Sequence, residues 1–202
     1  SQGTSCLLMT WELYNTFKAN NNDQRFQKLI YNGIYTDDIS VASNEVDITE
    51  EGYTYLPVTL KYFDFGNEGM TTCACGNDNI IYRYADVLLM KAECYAAKNR
   101  LNEANDCLRT VRERAGLTYE DINNASILEE EIALERQKEL INEGHRWFDL
   151  IRTGKAIEVI NDYFAETPGY NGVSVNENNY VQPIPQDQID TDPSIKQNEG
   201  YN

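Results

Sequence analysis

Charged side chains that could do acid–base chemistry crowd one stretch of the chain, Glu135 to Lys155. This stretch reads ERQKELINEGHRWFDLIRTGK and contains carboxylates, arginines and the chain's single histidine, His145. Two carboxylates that flank a sugar are the catalytic groups of most glycoside hydrolases. The same residue types could instead form ion pairs that hold helices together. The residues concerned are Glu135, Arg136, Glu139, Glu143, Arg146, Asp149 and Arg152.

The spacing of the glutamates favours the structural interpretation. Glu135, Glu139 and Glu143 recur every four residues along one face of a predicted helix. Like charges at this spacing destabilise an isolated helix, so cations from elsewhere are expected to reach them. Neighbouring arginines would lower the carboxylate pKa values, whereas a general acid needs a raised pKa. We therefore predict a structural ion-pair lattice and no catalytic residue.

The helix after the glutamates is predicted to contribute to this lattice. Gly144 can end the first helix and turn the chain back, and Ser126 is a candidate cap at its start. In the following helix Arg146 and Asp149 lie three residues apart, beside apolar residues suited to burial. We expect Arg146, Asp149 and Arg152 to face the carboxylates.

A pair of helices is predicted upstream, where apolar residues recur with helical spacing on either side of a break at KNRLN. Alanine, tyrosine three residues later, alanine twelve later and leucine sixteen later is the spacing of a tetratricopeptide-like hairpin. One hairpin cannot bury its apolar face alone and needs neighbours. The predicted buried faces are Tyr84, Val87, Leu88, Lys91, Ala92 and Tyr95 in the first helix, and Ala104, Cys107, Leu108, Val111 and Ala115 in the second.

The chain is expected to form a single domain, residues 1–202, with less regular parts around the helices. One helical stretch, LLMTWELYNTFKAN, precedes an acidic, loop-rich insertion at 31–80, in which Tyr53 to Phe65 alternate like a strand. The helical core spans 82–164. Prolines bias the residues before them toward extended backbone, so 165–202 is predicted to be an irregular tail that docks on the helical body.

Composition excludes some functions. The chain has 33 acidic against 17 basic residues, a net charge of −16, which repels phosphate backbones, so we expect no nucleic-acid partner. Cys94 and Cys107 fall on predicted apolar faces, where a thiol acts as a small hydrophobe. Cys73 and Cys75 form a C-A-C loop pair without a second ligand pair. The sequence predicts neither a metal site nor a cofactor.

Several segments together resemble the C-terminal half of the SusD/RagB family. Two shorter segments nearer the N-terminus, NNDQR and LKY, also resemble the family and occur in the same order as in its members. The resemblance therefore covers roughly residues 20–201. Glu199 stands where the family often has proline, and family members are much longer, with an N-terminal half that this chain lacks. The segments that carry the resemblance are IIYRYADVLLMKAECYAA, LRTVRERAG, ERQKELINEGHRWFDLIRTG and VQPIPQDQIDTDPSIKQNEGY.

This resemblance implies an all-α, tetratricopeptide-like superhelix with long irregular loops and an extended C-terminal tail. It implies a nutrient-binding lipoprotein, exposed on the outer membrane, with its lipid anchor in the missing N-terminal part. Such a protein captures glycans, or sometimes other nutrients, for a TonB-dependent SusC-like transporter. The charged helix has no catalytic role in this family, so the resemblance also implies that the chain is not an enzyme.

A sugar site is expected to present aromatic rings flanked by polar side chains. The same rings could instead anchor the long loop to the helical body. Two other functions stay open from the residues alone: a helical-repeat scaffold that binds protein without sugar, and a glycoside hydrolase. The candidate ligand-binding residues are Tyr31, Tyr35, Tyr53, Tyr55 and Trp11.

Overall fold

The computed structural model describes residues 9–31, 57–62, 78, 80–167 and 169–201, and these are mainly helical. The chain divides after Glu143 into two compact units. The expectation of a single domain stays a prediction. No helix in the described part of the chain is both long and apolar enough to cross a membrane.

The first unit contains five helices and one short antiparallel strand pair in its described residues. Ile30 lies opposite Thr59 in that pair. The predicted strand from Tyr53 to Phe65 is described only over 57–62, where Lys61 and Tyr62 already lie in a turn. The elements are α1 (Trp11–Lys18), α2 (Gln24–Leu29), β1 (Ile30–Tyr31), β2 (Val58–Thr59), α3 (Tyr84–Ala96), α4 (Leu101–Arg114) and α5 (Ala125–Glu139).

The predicted hairpin is confirmed, because α3 packs against α4 and α5 joins both. Ala92 and Ala104 are completely buried, and their small side chains allow the helices to approach closely. The predicted face of α4 is also confirmed, with all five of its residues buried. The core that unites the three helices comprises Leu89, Ala92, Ala96, Ala104, Cys107, Leu108, Val111, Leu128 and Ile132.

The buried face of α3 is rotated by about one residue from the predicted one. Tyr84, Val87 and Lys91 are exposed, and Cys94 is exposed as well, so their predicted burial is wrong. Asp86 is buried on the inner face, where its carboxylate accepts a 2.9 Å hydrogen bond from Arg136. The prediction counted apolar residues alone and could not place a buried ion pair. The residues buried on α3 are Ala85, Asp86, Leu89, Ala92 and Ala96.

Helix α5 begins and ends earlier than predicted. Its N-cap is Asn124 and not Ser126, the predicted cap. The side-chain oxygen of Asn124 accepts a hydrogen bond from the Ile127 amide. It ends at Glu139, and the turn that follows reaches Gly144, which has a left-handed φ of 81°. Glu143 therefore lies on a turn and not on the helix.

The N-terminal helices form a second core. Thr10 caps α1, and Asp23 caps α2 through a 2.9 Å hydrogen bond from the Arg25 amide. Apolar residues from α1 and α2 pack together, and Ile141 lies against them. The buried members of this cluster are Met9, Leu13, Tyr14, Phe17, Phe26 and Ile30.

The second unit contains short helices followed by the irregular tail. The side chain of Gln197 exchanges two hydrogen bonds, both 2.8 Å, with the backbone of Ile184, which anchors the tail to itself. The longest helix after Pro168 has six residues, in agreement with the prediction that the prolines prevent one continuous helix. The elements are α6 (Arg146–Arg152), α7 (Ala156–Glu166), a 3-10 helix (Glu177–Tyr180) and α8 (Gln186–Thr191).

Candidate functional site

The three glutamates of the predicted lattice are buried in the first unit. Glu135 and Glu139 project from the last turns of α5, and both are almost inaccessible to water. The side chain of Glu143, on the following turn, is 1% exposed. A buried carboxylate is costly unless it is paired and hydrogen-bonded, so these three groups require cations.

Arg25 at the start of α2 joins two of these carboxylates. Its Nη1 lies 2.6 Å from Glu135 Oε1 and 2.7 Å from Glu139 Oε2. Its other edge donates to the cap residue Asp23, with Nε 2.9 Å from Oδ1 and Nη2 2.8 Å from Oδ2. Lys138 Nζ lies 3.4 Å from the same Asp23 carboxylate. The fork of one guanidinium therefore fixes α2 against α5.

The C-terminal end of α4 supplies two more arginines. Arg112 Nε donates to Glu135 Oε2 at 3.0 Å, and the same side chain pairs with Glu131. Arg114 pairs with Glu139 through Nη2. These two arginines therefore pair with successive glutamates of α5, Glu135 and Glu139.

Glu143 is held by a lysine and an arginine from outside the helical hairpin. Arg83 Nε lies 2.9 Å from both carboxylate oxygens of Glu143, and Arg83 also pairs with Glu139. Lys61 pairs with Glu143 and donates to the carbonyl oxygens of Glu139 and Ile141, the first at 2.8 Å. Lys61 thus ties the segment after β2 to the end of α5.

For the other four predicted lattice residues the structure gives the following positions, and the part of Arg146, Asp149 and Arg152 in the lattice stays a prediction. Arg136 points toward α3, where it pairs with Asp86 and lies 3.6 Å from Glu93. Asp149 and Arg152 pair with each other in α6, within the second unit, at 2.7 Å. Arg146 is the first residue of the same helix.

Sequence reasoning missed the cations that the structure shows on the glutamates. They lie in segments far away along the chain, where helical spacing carries no information. Two of these cations, Arg25 and Lys61, lie in NNDQR and LKY, the two short segments that resemble the family. The missed cations are Arg25, Lys61, Arg83, Arg112, Arg114 and Lys138.

The lattice lowers the pKa values of two of its carboxylates, Glu139 and Glu143. Burial by itself would raise the pKa of Glu139, but hydrogen bonds and positive charge from Arg114, Arg83 and Arg25 outweigh burial, and the pKa is lowered. For Glu143, too, burial is outweighed by Arg83 and Lys61, and the pKa is lowered. A general acid for glycoside cleavage must instead hold a proton near neutral pH. The arrangement is suited to joining segments and not to donating protons.

A cavity of about 440 Å³ opens beside the lattice, a size common among small-molecule sites. Lattice cations contribute much of its polar wall, and each of these is already paired with a carboxylate, so their charge is largely compensated. The lining residues are Phe17, Gln24, Arg25, Lys28, Leu29, Ile30, Thr59, Lys61, Ile80, Arg83, Arg114, Ala115, Lys138, Glu139 and Ile141.

The candidate sugar-binding aromatics are only partly described. Trp11 is partly exposed on α1 and makes an edge-to-face contact with buried Tyr14, with ring centroids 5.4 Å apart. The backbone of Tyr31 ends β1, opposite Val58. Three further candidates, Tyr35, Tyr53 and Tyr55, and the loop thiols Cys73 and Cys75 lie outside the described residues. Sugar binding by these aromatics stays a prediction.

The fold and the lattice define an all-α protein built on a tetratricopeptide-like hairpin. Comparison with known proteins then identifies the family. A model of the SusD family matches residues 1–201, so the chain belongs to the SusD family.

Curated relatives come from Formosa agariphila. SusD-like protein P25 is 33% identical over 153 residues, which cover 73% of this chain and 28% of the relative. SusD-like protein P38 is 42% identical over 90 residues, or 40% of this chain and 18% of the relative. The chain therefore spans less than a third of the length of either protein.

Solved structures show the same fold over nearly the whole chain. Surface glycan-binding protein A from Bacteroides uniformis is 26% identical, with a TM-score of 0.71 over 95% of this chain and 40% of its own. A SusD superfamily protein from Parabacteroides distasonis is 27% identical, with a TM-score of 0.68 over 96% of this chain and 42% of its own.

Proposed function

We propose that this chain belongs to a cell-surface protein that binds glycans for nutrient uptake. The observation that carries the proposal is the match to the SusD family over residues 1–201. The likeness to a surface glycan-binding protein at 26% identity supports it. Because the chain covers only part of its relatives, the binding activity is proposed for the protein as a whole and for this chain as one part of it.

Family membership also supports a location and a partner. The protein would sit on the outer membrane through a lipid anchor and deliver oligosaccharide to a TonB-dependent SusC-like transporter. The aromatic candidates Tyr31, Tyr35, Tyr53, Tyr55 and Trp11 are proposed as contacts to the sugar. Trp11 is the one of these whose ring is described, and its partial exposure is compatible with that role.

The lattice supports binding without catalysis. Glu139 and Glu143 have lowered pKa values and are engaged by arginine and lysine, so they are poor proton donors at neutral pH. We propose that the chain is not an enzyme, and that its charged residues hold together the elements that support a binding surface.

Affinity electrophoresis and a reducing-sugar assay test this function together. We expect the 202-residue chain to be retarded in gels that contain at least one neutral polysaccharide and to release no reducing sugar from it. Sustained release of reducing sugar would show a glycoside hydrolase. Unchanged mobility in every polysaccharide, with capture of a protein partner instead, would show a scaffold and contradict the proposal.

A further inference from the structure

A cluster of three aromatic rings lies at the C-terminal end of α7, outside the residues considered above. Tyr170, in the loop after the helix, stacks on Phe164, with ring centroids 4.9 Å apart and planes only 11° from parallel. Tyr163 lies beside both rings, 6.0 Å from Phe164 and 6.1 Å from Tyr170. Offset stacking of this kind holds an aromatic ring in one orientation.

The loop backbone fixes Tyr170 from both sides. Its amide donates a 3.3 Å hydrogen bond to the Thr167 carbonyl, and its own carbonyl accepts a 3.0 Å bond from the Val173 amide. Gly169 and Gly172 have φ values of 98° and 80°, which residues with a side chain rarely adopt. Tyr170 therefore lies where two consecutive backbone turns meet, which fixes the position of its backbone.

A third attachment returns the loop to α7. The Asn161 side chain donates to the Val175 carbonyl at 3.1 Å and accepts from the Val175 amide at 2.8 Å. The loop is thereby closed at its far end as well as at its start. A ring held in place before binding loses little conformational entropy when a ligand arrives.

Tyr170 is exposed to solvent although one face of its ring is covered. The residue is 41% exposed, in contrast to the core aromatics Tyr14 and Phe17, which are almost completely buried. Because Phe164 covers one face, any exposed part of the ring belongs to its other face and its edges. Two polar residues that follow it closely in the chain, Asn171 and Ser174, are exposed as well.

We propose that Tyr170, supported by Phe164 and Tyr163, is a stacking platform for one unit of a neutral oligosaccharide. The C–H face of a sugar carries slight positive charge and suits the negative face of an aromatic ring, and polar neighbours suit its hydroxyl groups. The net charge of −16 disfavours sulfated or uronate glycans. This inference rests on the proposed glycan-binding function and adds a site to it.

A polysaccharide array with matched variants tests the platform. The array carries laminarin, galactomannan, xyloglucan, arabinan and yeast mannan, together with the acidic polymers alginate and polygalacturonate. We expect Tyr170→Ala to weaken binding of the full chain to its neutral glycan about tenfold, the loss of one aromatic contact. Tyr170→Phe keeps the ring and should bind within about twofold of wild type. Tyr82→Ala removes a tyrosine elsewhere that is even more exposed, 81% against 41% for Tyr170, and should change nothing.

Nitration of the wild-type chain gives a second measurement that does not depend on a variant folding. An oligosaccharide from the bound polysaccharide should slow nitration of Tyr170 by tetranitromethane, read by peptide mass, while nitration of Tyr82 is unchanged. Full binding by Tyr170→Ala, or nitration unaffected by glycan, would overturn the platform and leave the proposed function intact. Binding to acidic polymers alone would overturn the neutral ligand class. A wild-type chain that binds no glycan would overturn the platform, because Tyr170 lies in this chain, and would contradict glycan binding by this part of the protein.

Discussion

Single residues in the lattice serve several partners at once. Arg25 bonds to Asp23, Glu135 and Glu139 while its side chain is only 11% exposed. Removing one member of a buried ion-pair network leaves its partners desolvated without compensation, which costs far more than loss of a surface pair. The contribution of a charged residue to the stability of this protein therefore depends on its burial and on the number of its ion-pair partners.

Arg25→Ala should therefore strongly destabilise the protein. We expect a loss on the order of 3–5 kcal/mol in the free energy of unfolding, because three buried carboxylates lose a shared donor. Urea titration followed by circular dichroism measures it. The matched control is Arg100→Ala: Arg100 pairs with Glu103 but is 52% exposed, so its midpoint should hardly move. Equal, small shifts for both variants would mean that the lattice is not stabilising.

The start of a helix is set by its N-cap residue, and more than one suitable residue can lie nearby. The start of α5 offers both Asn124 and Ser126, which belong to the same favoured class of capping residues. The structure uses Asn124, whose side-chain oxygen lies 3.1 Å from the Ile127 amide nitrogen. The helix therefore begins at Ala125, two residues before the start that a Ser126 cap would give.

Replacing the cap should have a smaller effect than breaking the lattice. Asn124→Ala removes the oxygen that satisfies the Ile127 amide, so we expect it to cost about 1 kcal/mol. Ser126→Ala is the control, since Ser126 is an exposed residue already inside the helix and alanine favours helix there. Thermal unfolding compares the two variants. A larger loss for Ser126→Ala would show that the helix starts where the sequence first suggested.

Over the whole first unit, the lattice joins segments that are far apart along the chain. Arg25 reaches Glu135 across 110 residues, Lys61 reaches Glu143 across 82, and Arg83 reaches Glu139 across 56. The stability of the first unit at low pH depends on three carboxylates, Asp23, Glu139 and Glu143. Their pKa values are lowered in the folded state despite burial. Protonating them should loosen several elements at once.

Stability should therefore fall in acid. A carboxylate with a lowered folded pKa contributes fully above its unfolded pKa, about 4.5 for glutamate, and loses that contribution as pH falls through the folded value. We expect the thermal midpoint to drop steeply between about pH 5 and pH 3. Glu139→Gln should flatten this dependence, whereas Glu166→Gln, at an exposed position, should not. An unchanged slope in Glu139→Gln would show that the lattice does not control acid unfolding.

The sequence alone determined the helices, the hairpin and the family, because these depend on local spacing and on short motifs. Leu108 and Val111 share a buried face as their helical spacing requires, and the motifs around Glu135 led to the family that the comparisons confirmed. The need of the buried glutamates for cations also followed from their spacing.

Tertiary structure alone decided which side chains meet. Arg25 pairs with α5 and Lys61 with the turn after it because separate segments converge there. Asp86 is buried on α3, where it pairs with Arg136. Helical periodicity records how a residue relates to its neighbours three or four positions away. It does not record which distant charge comes within 3 Å, nor that a loop folds Tyr170 onto Phe164, because those distances depend on how the elements pack.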